Sequence, residues 1–471
     1  MRPLLLVAAA CAFVVALAFA QHTPNPGLPL RDFEAYYAGG EAFRYHGDPY
    51  SRDVWRGERL IPGVDATRDE LLPFVGPPYG LPLWSALGNL SFRSASLVWG
   101  LVLGASFIVL ALGGLIAGAG RLRIVPTVAV FCFAAAFAPL TGGVALGQVA
   151  IVACAAIVAF PAALRPRGTL AATALVLAAG LQPNLAIVLA VRASDARARI
   201  AIVSAALVAF CGSALAVGGL GGLARYASVL RDHAAAERFI AIQTTPGAVA
   251  YALGAPPALA SGIAIALAAI VIVILAVQCR REVYAPNDRL LLACAAVPLA
   301  LPFAHAHDFV IAFVPAVVLV VRARGAAWAC SASAALALGV DWLGLASRPS
   351  GVTSAIALAC AATYALVALA PGRLARIHAM PLGIVALVAV AARVTATHRL
   401  PVWPDALPAG FSVAAKLPAA VVWHAEQVAS GIAERDPVWG ALRAIDLIAC
   451  AVVWIVASRI LRATGVAPEA S

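Results

Sequence analysis

Lysine is all but missing from this chain: Lys416 stands alone among 33 basic residues, and the rest are arginine. Charge of either sign is sparse, at 12% of 471 residues, where a soluble domain carries about 25%. Folded in water, such a chain would have too little polar surface to cover itself; lipid as solvent removes the difficulty. The nine cysteines form no CxxC pair and avoid the longer polar stretches. That excludes a disulfide framework and a thiolate zinc site, and they read as small apolar filler. No HExxH or comparable ligand spacing occurs, so neither a metal centre nor a cofactor is expected. There is no repeat of fixed period, and no low-complexity tract beyond an Ala/Leu/Val bias.

What is present is apolar: 63% of residues are hydrophobic, mean hydropathy is +0.94 and net charge is +11. The arginines do not gather with aromatics on a soluble face, so nucleic acid is excluded as a partner. They fall in short breaks between apolar runs, the pattern that orients membrane proteins. Runs that could cross a bilayer lie near 4–20, 96–118, 125–140, 147–163, 199–218, 257–277, 290–303, 309–322, 326–345, 352–370, 380–393 and 438–461. Met1–Ala20 has the form of a secretory signal or an uncleaved first span, and the later spans favour an anchor at 1–20. Segments 76–91 and 169–191 are ambiguous; Gln182-Pro183-Asn184 interrupts the second, and proline removes a helix donor there. The expected fold is an all-α polytopic membrane protein of about 11–14 transmembrane helices in a single 1–471 domain.

Sidedness follows from the arginines. With Arg2 in the cytoplasm and 169–191 folded as a hairpin of two half-helices, the breaks at Arg121/Arg123, Arg165/Arg167, Arg192–Arg199, Arg280–Arg289, Arg322/Arg324, Arg373/Arg376 and Arg459/Arg462 are all cytoplasmic. The less basic polar segments then share the outer face. They are the large first loop at 21–75, Gly147-Gln148, the Gln182-Pro183 tip, the 219–256 loop with Gln243-Thr244-Thr245-Pro246, the His305–Asp308 turn and the 394–437 loop. Helix breaks at membrane depth are tolerated where they face protein or a wet cavity. A cavity opening outward is therefore expected in the bilayer of a cell's inner (plasma) membrane.

Two segments carry candidate chemistry. In Arg31–Ala42 a short helix from about 32 to 45 places Asp32 and Tyr36 on one face at i, i+4 spacing, with Glu34 and Tyr37 beside them. Asp32 could equally cap that helix, with the tyrosines as interfacial belt residues. In Leu301–Phe309, His305, His307 and Asp308 lie between two apolar runs, where a carboxylate costs roughly 2.5–3.5 kcal/mol at mid-membrane and less near the interface. They either serve a site or form an interfacial turn facing water. Gln148 and Gln182 could satisfy broken backbone or bind a sugar hydroxyl; Arg225, Arg231 and Arg238 could meet a phosphate or form a solvated face.

Taken in order, these motifs resemble glycosyltransferase family 87. The matching residues are Asp32, Phe33, Tyr36, Tyr37 and Gly39; Gly47, Pro49 and Tyr50; Pro77 and Pro78; Gly147 and Gln148; Pro183; and Pro302 with His307 and Asp308. Gln182 departs from the lysine usual there, and 394–437 has no counterpart. The resemblance implies a GT-C-like membrane mannosyltransferase of the cell envelope. It takes a polyprenyl-phosphate-linked sugar as donor and a glycolipid or other envelope acceptor, and works at the extracytoplasmic face. It implies Asp32 as catalytic base, which would deprotonate the acceptor hydroxyl as the lipid phosphate leaves. Glu34, Tyr36, Tyr37, Gln148, Gln182, Arg225, His305, His307 and Asp308 would bind substrate. A transporter or lipid flippase is the rival from the residues alone, since broken helices and intramembrane charges occur there too.

Overall fold

The computed structural model describes residues 30–60, 71–120, 122, 124–280, 283–343, 387, 391, 394, 397–399, 401, 407–414 and 416–464. The expected anchor at 1–20, the span at 352–370 and most of that at 380–393 lie outside the described residues. Among those residues the chain is helical with no strand; one isolated bridge pairs Gln243 with His305. The elements that matter below are α1 (Arg31–Arg44), α2 (Asp53–Leu60), α3 (Leu81–Leu87), α4 (Phe92–Ala119), α5 (Ile124–Ala136), α6 (Ala138–Leu146), α7 (Val149–Ala163), α8 (Thr169–Gly180), α9 (Pro183–Ala186) and α10 (Ala196–Ala216). They continue with α11 (Leu220–Glu237), α12 (Pro246–Ala252), α13 (Pro257–Arg280), α14 (Pro286–Ala296), α15 (Phe313–Arg322), α16 (Gly325–Leu338), α17 (Ala419–Ala429) and α18 (Pro437–Thr464).

Four of these, α4, α10, α13 and α18, are long and apolar enough to cross a membrane, and α5 with α6 makes a fifth candidate bent by 60°. Local chemistry sets their ends. Ser91 accepts from the Ser94 N–H at the start of α4, and Gly120, at φ 70°, ends it in the left-handed region open to glycine. Asp195 accepts from the Arg197 and Ala198 N–H groups at the start of α10; Asp436 does the same for Val438 and Trp439 before α18. The outward faces are apolar, with Leu215 84% and Ile265 71% exposed. Side chains so placed need lipid around them. This is a multi-pass membrane protein.

The other expected spans are shorter. α7 and α16, of 15 and 14 residues, rise only about 21–23 Å at 1.5 Å per residue, against a hydrocarbon core of about 30 Å. Segment 169–191 is broken at Leu181-Gln182, as Pro183 requires. It doubles back: Arg197 donates to the Leu164 carbonyl (3.4 Å), so both ends of the segment lie together. The 219–256 and 394–437 stretches, read as loops, carry α11, α12 and α17.

The basic turns share one end of the bundle. Arg322 donates to the carbonyls of Ala117 and Gly118 and stands 3.8 Å from Asp288. Arg192 donates to Asn287 (2.6 Å) and pairs with Asp195 (3.2 Å). The Tyr284 hydroxyl donates to the Ser458 carbonyl (2.8 Å) beneath Arg462. At the other end, Leu30 N–H donates to Ala145 (2.7 Å), Trp99 to Gly147 (2.8 Å) and Thr244 N–H to Ala304 (2.7 Å). The broken helices therefore meet away from the arginine turns.

Candidate functional site

At that second end lies a cavity of about 390 Å³, within the range of small-molecule sites. α1 supplies one wall. Phe33 is fully buried and stacks on Phe92 and Trp99, with ring centroids 5.9 and 5.8 Å away. That anchor turns its neighbours Arg31 and Asp32, and Tyr36 one turn on, to the cavity lining. Asp32 sits inside the first turn; its carboxylate accepts from the Gln148 side-chain amide. Gly147 makes this approach possible. Its φ is +80°, and a Cβ there would lie 2.8 Å from that of Phe33. The Tyr36 ring packs 4.8 Å from Trp84. Enclosure by protein, then the nearby Asp32 and Asp308 carboxylates, push its phenol above the usual range, so it remains a neutral O–H donor.

The second wall comes from α11 and the turn after α14. His233 and Glu237 lie at i, i+4 on α11, both buried. Glu237 is the hub. It stands 3.4 Å from His233 Nε2 and 3.2 Å from His305 Nε2, and it accepts from the Trp423 indole N–H and from Gln243 Nε2 (3.2 Å). Gln243 is fixed because its Oε1 accepts from Ala304 N–H at 3.0 Å. Burial alone would raise the Glu237 carboxyl, but the two imidazoles and the Trp423 bond outweigh it and hold it down at about 2. For His305 burial favours the neutral ring, yet the Glu237 bond and charge win and raise its pKa. His233 goes the other way, lowered by burial despite Glu237. The network thus favours the charged form of His305, on the cavity wall, over that of His233.

Of the residues picked out in the sequence, Asp32, Tyr36, Gln148, Gln182, His305 and His307 line this cavity. Asp308 does not. It is buried and braces the wall, accepting from Gln182 Nε2 (3.1 Å) and from the His305 N–H (3.0 Å). Three others stand off the lining. Tyr37 is buried in the aromatic cluster with its hydroxyl donating to the Leu90 carbonyl (2.7 Å); Glu34 is buried on another face of α1; Arg225 is exposed on α11. Glu34 and Tyr37 neighbour Asp32 and Tyr36 in the chain, but a helix turns successive residues away from one another. Glu237, His233, Trp423, Asp341 and Asp446 also line the cavity and were not anticipated. A His and a Glu four apart in a low-hydropathy stretch, and single carboxylates beside apolar runs, were the available signals.

A helical bundle with membrane-length apolar helices around a cavity lined by carboxylates, imidazoles and amides is a membrane protein built to act on a polar ligand. The model of glycosyltransferase family 87 matches residues 74–302, and that match supports membership of the family; it indicates a multi-pass membrane glycosyltransferase and implies a sugar donor, an acceptor and a lipid setting. No curated protein and no solved structure matches it. Asp32 and His305–Asp308 fall outside the matched stretch. Both are tied to glutamines within it, Asp32 to Gln148 and Asp308 to Gln182.

Proposed function

We propose that the protein transfers a sugar, mannose, from a polyprenyl-phosphate donor to an acceptor hydroxyl at the extracytoplasmic face, with Asp32 as general base. The acceptor oxygen attacks the anomeric carbon while the bond from that carbon to the phosphate oxygen breaks. The hydroxyl proton passes to Asp32, and polyprenyl phosphate departs. One observation carries this reading. A carboxylate bonded by Gln148 and an imidazole paired with Glu237 line the same cavity, which supports their roles as base and phosphate partner. Arg31, also on the lining, adds a guanidinium shaped for phosphate. Gln182, where the family resemblance leads one to expect lysine, brings no charge, and His305 supplies it instead.

The gathering of the basic turns at the far end supports an outward-opening cavity, because arginine-rich turns stay in the cytoplasm. The single-domain organisation, the 21–75 catalytic loop and the envelope acceptor belong to the same reading. The test uses full-length protein in liposomes with polyprenyl-phosphate mannose and an envelope glycolipid extract. Asp32→Asn is expected to lower turnover by about 10²–10⁴-fold, the usual worth of a positioned acid or base. Full retention of transfer in a normally inserted variant removes Asp32 from the mechanism.

A further inference from the structure

One part of the cavity lining is not used by this mechanism. Asp341, just beyond α16, and Asp446, on α18, both line it. Asp446 is the tenth residue of α18, roughly 14 Å along the axis of a membrane-length helix at 1.5 Å per residue. It is 8% exposed, and among the described residues its Oδ1 meets no hydrogen-bond donor. Arg443, one turn earlier, offers no relief: its guanidinium is turned to the carbonyls of Ile240 and Gln243. Asp341 lines the same cavity, and the packing of α16 on α18 brings the two carboxyl groups to one side of it.

A carboxylate at membrane depth with an unmatched oxygen is costly. Its counterpart must bring hydrogen-bond donors into the cavity. An ionised phosphate is a poor counterpart, since its oxygens accept hydrogen bonds and bring no donor to an oxygen that lacks one. A bare cation fits poorly as well: among the described residues no three His, Cys, Asp or Glu side chains are grouped to hold a metal ion. A sugar fits, because each of its hydroxyls carries a donor that such an oxygen can accept. We infer that Asp446, with Asp341 beside it, is the subsite that accepts hydrogen bonds from the hydroxyls of the transferred sugar. The inference rests on the donor assignment made above. It polarises the cavity, with phosphate drawn to His305 and Arg31 and sugar hydroxyls drawn to the carboxylate pair, so that a donor binds in one orientation.

The experiment compares two probes, polyprenyl phosphate and polyprenyl-phosphate mannose, by equilibrium binding to full-length protein in nanodiscs. Asp446→Asn keeps shape and replaces one acceptor oxygen with an amide donor. It is expected to weaken binding of the sugar-linked probe about tenfold or more and to leave polyprenyl phosphate within about twofold. Asp341→Asn, expected to act in the same sense and less, carries the test if the first variant does not fold. Equal weakening of both probes in a variant with wild-type Tm overturns the sugar subsite, as does no change in either. A dependence of wild-type binding on added Mn²⁺ that Asp446→Asn abolishes assigns a cation site and also overturns it. Wild-type protein that binds neither probe overturns the donor assignment as well; wild-type binding of both, with variants that do not discriminate, overturns the subsite alone.

Discussion

The two ends of the bundle use charge in opposite ways. At the arginine end, guanidinium groups answer backbone carbonyls and short side chains: Arg322 meets Ala117 and Gly118, and Arg192 meets Asn287 and Asp195. Each ties one helix to the next, between the turns at that end of the bundle. At the cavity end, charge is buried and organised around an enclosed volume: Glu237 gathers two imidazoles, an indole and an amide. Buried charges persist only when paired and hydrogen-bonded, so a network with that many partners on a cavity wall is built for the cavity. On the proposed reading, arginines hold the scaffold and orient it, and carboxylates and imidazoles do the chemistry.

That division makes graded predictions. Asp32→Asn, the loss of a base, should be the most severe change at the cavity end. Glu237→Gln comes next. It leaves His305 without its anionic partner, and transfer should fall by about 10–100-fold, the worth of a charged hydrogen bond of roughly 1.5–3 kcal/mol. The pH profile identifies the cause. Glu237 raises the His305 pKa, so the imidazolium is present below that pKa and is lost as pH rises through it. In the Glu237→Gln variant the alkaline limb of kcat/KM should move to lower pH. An alkaline limb that stays in place, with activity reduced at every pH, would assign Glu237 to packing alone. Gly147→Ala should be milder in chemistry but harmful to the site, since the residue sits at φ +80° against Phe33; a rise in donor KM together with a lower Tm is the expected result.

Much of the scaffold could be read from the chain, because a long apolar run has one physical meaning. The spans expected at 96–118, 199–218, 257–277 and 438–461 are α4, α10, α13 and α18, displaced by a few residues. The hairpin at 169–191 was legible from Pro183 and from the cost of placing Arg192, Arg197 and Arg199 on the wrong side. The cavity was legible only where its residues came as a cluster. Asp32 with Tyr36 and His305 with His307 each lie within a few positions of one another. Glu237 lies in a stretch read as loop, and Asp446 is a lone carboxylate in an apolar helix. Their significance is created by contacts over long separations, His305 with Glu237 and Trp423 with Glu237, which no local pattern announces. Asp308 shows the converse: it sits in the expected cluster, and its oxygens are taken up by Gln182 and the His305 backbone.

The smallest effect on catalysis should come from the arginine end, and it is the one that isolates scaffold from site. Arg192 is 5% exposed, donates to Asn287 at 2.6 Å and pairs with Asp195 at 3.2 Å. These contacts fasten the returning arm of the hairpin to the start of α10 and to α14. Arg192→Gln removes the charge and part of this bonding, and should cost about 1–3 kcal/mol of stability, seen as a lower Tm in detergent. The cavity residues Asp32, Glu237 and His305 are all at the other end, so kcat/KM measured below the new Tm should stay within about twofold of wild type. A loss of activity comparable to that of Glu237→Gln, in protein still folded, would mean that the hairpin transmits its position to Gln182 and Asp308 at its tip. The two ends would then be one mechanical unit rather than a frame and a site.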